Sequence, residues 1–220
     1  DAAESLGGKY SDRKCGSFGE ISILSFNGNK IITTSGGGML LSNNEDYNTN
    51  AKKLATQSRE DAFHYQHTEI GYNYRMSNIL AALGRAQFKS LKSHVDKRRY
   101  IFEYYYNNLK DMNDITFMPE IKDGKSSRWL SVILIKNKTH NEIEDIIKIF
   151  GKERIETRPI WKPMHLQPVF SGTPFYHCSL NPLSKNLFEH GLCLPSGSNL
   201  SKNDMDKIIN ILRMEIDIKK

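Results

Sequence analysis

The sequence predicts an α/β fold in two parts, and three observations lead there. Short apolar runs bounded by polar, glycine-bearing segments read as buried strands. Cap residues stand in front of apolar residues at helical spacing, so strands alternate with helices. The chain's 220 residues and 38% hydrophobic content are enough for a sizeable core. We read residues 1–90 as the end of one α/β unit and residues 91–220 as a second, smaller α/β domain, joined through a long helix.

EISILSF at 20–26 and MLLS at 39–42 have the character of buried strands, with a polar, glycine-rich loop at 27–38 between them. Loops at strand ends are common binding sites, and this one offers Asn27, Asn29, Lys30, Thr33 and Thr34. Ser77 can cap a helix running to about residue 110, long enough that a bend or break is expected, with Gly84 as its weak point. LSVILI at 130–135 is the next strand. THNEIEDIIKIF then carries a capping box, Thr139 with Glu142, ahead of Ile143, Ile146, Ile147 and Phe150. Ser201 and Asp204 can cap a last helix whose inner face is Met205, Ile208, Ile209 and Leu212, and LPSGSN at 194–199 reads as the turn feeding it.

Several function classes are disfavoured. The net charge of +6 is diffuse, and its densest stretch, KSLKSHVDKRRY at 89–100, reads as a solvated helix face, which argues against nucleic acid. No apolar run reaches 18 residues and the first residues lack a signal-peptide pattern, so a cytoplasmic location away from membranes is expected. Cys15, Cys178 and Cys193 fit neither a disulfide framework nor a metal motif and read as reduced, structural residues. His64 and His67 have no third ligand at a recognisable spacing, so no metal is expected. The chain begins at Asp1 without methionine, and we expect a segment to precede it.

The chemistry centres on SFNGNK. Ser25 and Lys30 lie five residues apart at the end of a predicted strand, placing a hydroxyl and an amine on one tight loop, with the carboxylate of Asp1 some thirty residues earlier. A lone lysine near glycines is usually a surface residue. A lysine amine, a carboxylate and a hydroxyl together are what pyridoxal phosphate requires: an amine for its aldehyde, an acid for its ring nitrogen and donors for its phosphate.

DAAESLGGKY, GSFGEISILSFNGNKIITTSGGGML and GYNYRMSNILAALGRAQ resemble, segment by segment and in order, the DegT/DnrJ/StrS family of sugar aminotransferases. RIETRPIWKPMHLQPVF and LFEHGLCLPSGSNL resemble the branch that aminates C4 of a UDP-linked 4-keto-6-deoxy-N-acetylhexosamine in bacillosamine and exopolysaccharide pathways. The resemblance implies the end of a fold type I, aspartate-aminotransferase-like large domain followed by a small α/β domain. It implies that Lys30 holds the cofactor as a Schiff base and moves the proton, that Asp1 pairs with the pyridinium nitrogen, and that Ser25 binds the phosphate. Asn73 matches an amide that reaches the cofactor phosphate of a neighbouring subunit, which implies a homodimer with shared active sites. Glu4 matches a position beside the cofactor ring. Sister enzymes that dehydrate carry histidine at the position of Lys30, so the lysine implies transamination, with glutamate as amino donor. Family members are longer at the N-terminus, where the remaining phosphate amides and the ring-stacking aromatic lie.

In TRPIWKPMHLQPVF, Arg158, Trp161, Lys162 and His165 combine cations and an aromatic suited to a nucleotide-sugar, although Trp161 could equally be core and Lys162 plain surface. The alternative to an enzyme is a non-catalytic fragment or subunit-interaction module. The exact sugar, the nucleotide and the choice of C4 or C3 stay open at this level, because pocket contacts set them.

Overall fold

The computed structural model describes residues 1–178 and 182–217. The chain folds as two compact units, one made of Asp1–Asp96 and Glu120–Trp129, the other of Lys97–Pro119 and Leu130–Lys220.

In the first unit, β1 (Lys9–Tyr10) and β2 (Arg13–Lys14) form a short antiparallel hairpin. The predicted strand pair is present as β3 (Ser22–Ser25) and β4 (Gly38–Leu41), antiparallel, with Ser25 opposite Gly38. The intervening loop is therefore closed at its base. It is not the buried pair expected, since Ile23, Met39 and Leu40 are exposed. α1 (Glu45–Ala55) begins at Asn44, whose side-chain oxygen accepts from the amides of Asp46 and Tyr47. α2 (Asn78–Lys89) starts as expected, with Ser77 Oγ accepting from Leu80 N at 3.3 Å.

The expected break comes at Ser90, not at Gly84. Ser90 leaves helical geometry at φ −95° and ψ 0°, its amide bonds back to Gln87 O, and its carbonyl accepts from His94 N to begin α3 (Leu91–Leu109). Gly84 serves packing instead: a Cβ there would lie 2.8 Å from Thr34 Cγ2. The helix thereby approaches the loop at 27–38 closely, and Gln87 Oε1 accepts from Thr33 N at 3.0 Å. The basic stretch is only partly a solvated face. Lys92 is exposed and pairs with Asp96, whereas Arg98 is half-buried and its burial disfavours the charged form.

After β5 (Ile115–Phe117), which belongs to the second unit, the chain returns to the first as β6 (Gly124–Lys125), antiparallel to β1. β7 (Ser131–Ile135) is the predicted third strand. α4 (His140–Lys152) carries the predicted capping box, complete in both directions between Thr139 and Glu142. β8 (Arg158–Pro159), two single 3₁₀ turns at 164–170, α5 (Leu183–His190), β9 (Gly191–Leu194) and α6 (Lys202–Asp217) complete the chain.

The second unit is built on an antiparallel sheet in the order β5-β7-β9-β8. β7 alternates buried and half-buried residues, and β9 is buried throughout. Tyr105 and Leu109 of α3, Ile143, Ile146 and Phe150 of α4, and Met205, Ile208, Ile209 and Leu212 of α6 share one core with Ile133, Ile135, Leu192 and Leu194. The predicted inner faces of α4 and α6 are thus buried, apart from the half-buried Ile147. Ser201 and Asp204 cap α6 reciprocally. The turn after β9 is a structural one: Ser196 Oγ accepts from Ser131 N at 2.8 Å, and Pro195 O accepts from the Tyr105 hydroxyl at 2.9 Å.

Candidate functional site

The loop after β3 is held by its own backbone. Phe26 N donates to Gly37 O, Thr34 N and Thr33 Oγ1 both donate to Phe26 O, and Lys30 N donates to Asn27 O. Phe26, Ile31, Ile32 and Thr34 are buried, so the loop is anchored from both of its limbs. Lys30 sits at its tip with only 12% of its side chain exposed.

Two groups meet its ammonium. Glu4 Oε1 lies 3.2 Å from Nζ, and the ring centroid of Trp129 lies 4.3 Å from it. Glu4 is half exposed, and a partly solvated pair of this kind contributes about 0–1 kcal/mol. Trp129 is 7% exposed, and a desolvated cation–π contact reaches about 2 kcal/mol. The aromatic face is therefore the stronger of the two holds. Trp129 is itself fixed, since its Nε1 donates to Asn29 O at 2.7 Å.

The chain start lies along β3, with Ala2 N donating to Ile23 O at 3.1 Å. Asp1 Oδ1 accepts from Ala3 N at 2.8 Å, and its side chain is exposed. Ser25 Oγ accepts a long bond of 3.4 Å from Asn27 N at the loop entrance. Lys30 and Glu4 are thus in contact, Ser25 ends β3, and Asp1 precedes the residue that bonds Ile23 of the same strand; an amine, carboxylates and a hydroxyl are a donor set that fits pyridoxal phosphate. Asn73 belongs to the same unit, in a segment paired with the end of α1 through a bridge to Thr56; its side chain is exposed.

Arg158, Trp161, Lys162 and His165 all belong to the second unit. Arg158 is exposed and pairs with Glu156. Trp161 is 55% exposed, which removes the plain-core reading for it. Lys162 is exposed, and its carbonyl accepts from Gln167 Nε2. The His165 ring stacks on Phe175 with centroids 3.6 Å apart, Phe175 in turn stacks on His177, and His165 Nε2 is buried with no hydrogen-bond partner among the described residues.

No group of three metal-ligating side chains occurs among the described residues; His64 bonds Gln66 and His67 bonds the carbonyl of Gln57. None of the three cysteines forms a disulfide, and Cys178 is exposed rather than packed as expected. No described helix is long and apolar enough to cross a membrane.

Sequence reasoning missed Trp129. Nothing local marks SSRW as part of a site, and Trp129 lies 100 residues from its hydrogen-bond partner Asn29.

Residues 1–213 match the DegT/DnrJ/EryC1/StrS aminotransferase family. The chain belongs to that family. Among curated relatives, it is 49% identical over 213 residues to EpsN of Bacillus subtilis (strain 168), whose name places it with the pyridoxal phosphate-dependent aminotransferases; the match covers 96% of this chain and 54% of EpsN. It is 35% identical to the GDP-perosamine synthase of Escherichia coli O157:H7, covering 93% of this chain and 54% of that one. Among solved structures, PseC of Helicobacter pylori, an aminotransferase involved in the biosynthesis of pseudoaminic acid, superimposes with a TM-score of 0.89 at 25% identity. That superposition covers 99% of this chain and 59% of PseC. This member of the aminotransferase family spans about half the length of the curated relatives it matches. Its fold is that of the fold type I aminotransferases.

Proposed function

We propose that this chain is the lysine-bearing part of a pyridoxal phosphate-dependent sugar aminotransferase that passes an amino group from glutamate to the 4-keto carbon of a nucleotide-linked 6-deoxy sugar. UDP is the nucleotide we favour, and cell-surface glycan synthesis in the cytoplasm is the setting. The observation that carries the reading is the sheltered Lys30 amine at the tip of a rigid loop, in a chain that matches the family over 213 residues.

The cofactor supplies an electron sink that stabilises negative charge at the carbon losing a proton. The chain's residues do the rest. Lys30 would hold the cofactor and supply the amine that moves the proton as general base and acid. Asp1 would pair with the ring nitrogen and Ser25 would donate to the phosphate. Glu4, 3.2 Å from Nζ, would stand beside the cofactor ring. Asn73, exposed in its own unit, completes the site of a second copy in a homodimer. Arg158 and Lys162 supply cationic contacts to a diphosphate, His165 a ring nitrogen and the exposed Trp161 a stacking face. The division into a cofactor-binding part at residues 1–90 and a small domain at 91–220 follows the same reading, with residues 120–129, which fold with the first unit, as the exception.

The test is borohydride reduction of the chain after adding pyridoxal phosphate, with the modified peptide located by mass spectrometry. Attachment at Lys30 supports the reading. Attachment elsewhere, or none in wild type when the chain is combined with the sequence that relatives carry in addition, ends it and favours the subunit-interaction module.

A further inference from the structure

Residues 120–129 leave the sequence neighbours on either side of them and fold with the unit that carries Lys30. Three features drive this excursion toward the lysine loop. β6 pairs with β1, and Ser11 N donates to Asp123 O at 2.7 Å, which ties the excursion down at its middle. Gly124 permits the tight turn within the excursion, because a Cβ there would lie 2.4 Å from Ile121 Cγ1 and its amide bonds Ile121 O. Arg128, buried at 4% exposure, adopts a left-handed backbone at φ +50°, unusual for a residue with a side chain, and Ser126 Oγ accepts from its amide at 3.0 Å. Left-handed geometry of this kind persists only where surrounding contacts fix it, and it tends to gather at functional sites. The next residue is Trp129.

We propose that Trp129 is a positioning residue for Lys30. Its indole face holds the ammonium at 4.3 Å while its Nε1–H pins the carbonyl of Asn29, the residue just before the lysine, at 2.7 Å. One side chain thus fixes both the amine and the backbone that bears it. Whenever the lysine is not covalently engaged, the aromatic face keeps Nζ at the loop tip and out of bulk water, so the amine does not have to be recaptured from many rotamers. Glu4 holds it differently, accepting a charge-assisted hydrogen bond from Nζ half in solvent. The proposal rests on Lys30 being the reactive lysine, and its test separates the two ideas.

Competitive labelling with trace acetic anhydride reads the amine without any cofactor. The acetylation of Lys30 is compared by mass spectrometry with that of Lys53, which lies in the same unit and pairs with Glu60 and Glu69. Trp129→Leu is expected to raise the Lys30:Lys53 ratio by up to about thirtyfold, the factor that loss of a desolvated cation–π contact of about 2 kcal/mol implies. Trp129→Phe keeps a ring face without the N–H and is expected to restore at least half of the protection. In parallel, the Lys30 ε-methylene protons of the wild type are expected upfield of those of other lysines through the indole ring current, and the shift disappears in Trp129→Leu. An unchanged ratio in Trp129→Leu overturns the proposal, as does an equal rise in both variants, which would report general loosening. Borohydride fixation of pyridoxal phosphate is scored separately on the wild type. Fixation at Lys30 with an unchanged ratio sinks the role of Trp129 alone, whereas a raised ratio with fixation at another lysine keeps the positioning and sinks the cofactor reading.

Discussion

The two units bury apolar surface in opposite ways. The second closes a continuous core in which Tyr105, Leu109, Ile133, Ile135, Ile143, Phe150 and Leu212 have no exposed surface, shared between a sheet and three helices. The first has no comparable core. No residue of α1 or α2 is fully buried, and Phe63, Tyr65, Ile70, Tyr74 and Ile79 are each at least 77% exposed. What the first unit holds rigidly is the loop around Lys30, through backbone hydrogen bonds, the close approach at Gly84 and the Trp129 ring. Stability and chemistry are thus separated: the second unit supplies hydrophobic burial, and the first supplies a fixed amine in a setting whose outer apolar side chains are left uncovered within its own fold.

That contrast can be broken most sharply at Lys30. Lys30→Ala is expected to abolish borohydride-fixed attachment of pyridoxal phosphate, while costing the folded chain no more than about 2–3 kcal/mol in urea titration. At Phe150 the reverse holds. Phe150→Ala opens a cavity in a side chain with no exposed surface and is expected to cost about 3–5 kcal/mol by the same titration, leaving the Lys30 contacts intact. A fall in Trp129 fluorescence protection at the same denaturant concentration would instead mean that the units unfold as one. Thr139→Ala removes the capping box of α4 and is expected to cost about 1 kcal/mol.

Ile79, 82% exposed on α2, gives the complementary result: Ile79→Ser is expected to move the stability of the isolated chain by less than about 0.5 kcal/mol. A larger loss would show that this face is covered in solution. The smallest expected effect concerns acid. The Ser201 hydroxyl and amide hold the Asp204 carboxyl below its ordinary value of 3.8, so folding is favoured while both folded and unfolded forms are ionised. That contribution is present above about pH 4 and is lost as the pH falls through the lower, folded-state value. Ser201→Ala should therefore lower stability at neutral pH and flatten the acid limb of a circular-dichroism titration below pH 4, because less stability is left to lose there.

Local chemistry made part of this legible in advance. The capping residues Ser77, Thr139 and Ser201 mark the starts of their helices, because a cap acts on amides two or three positions away, and the apolar spacing of α4 and α6 marks the faces that are buried. The break in the long helix was legible as an event but not in place. Helix propensity points to Gly84, whereas contact with Thr34 in the lysine loop is what that glycine serves, and the chain turns at Ser90. Likewise the tip lysine and its neighbours Glu4 and Ser25 could be read from the segments that resemble the family, while the exposure of Trp161 and the stacking of His165 on Phe175 could not.

The sequence by itself determined the α/β class, the helix starts and the residues able to do chemistry, since each depends on side-chain type and spacing within a few positions. The tertiary structure decided where the helix turns, which unit residues 120–129 join and what holds Lys30. Those outcomes depend on contacts between segments far apart in the chain, and the indole that meets the lysine is brought there by the strand pairing of β6 with β1 and the left-handed turn at Arg128.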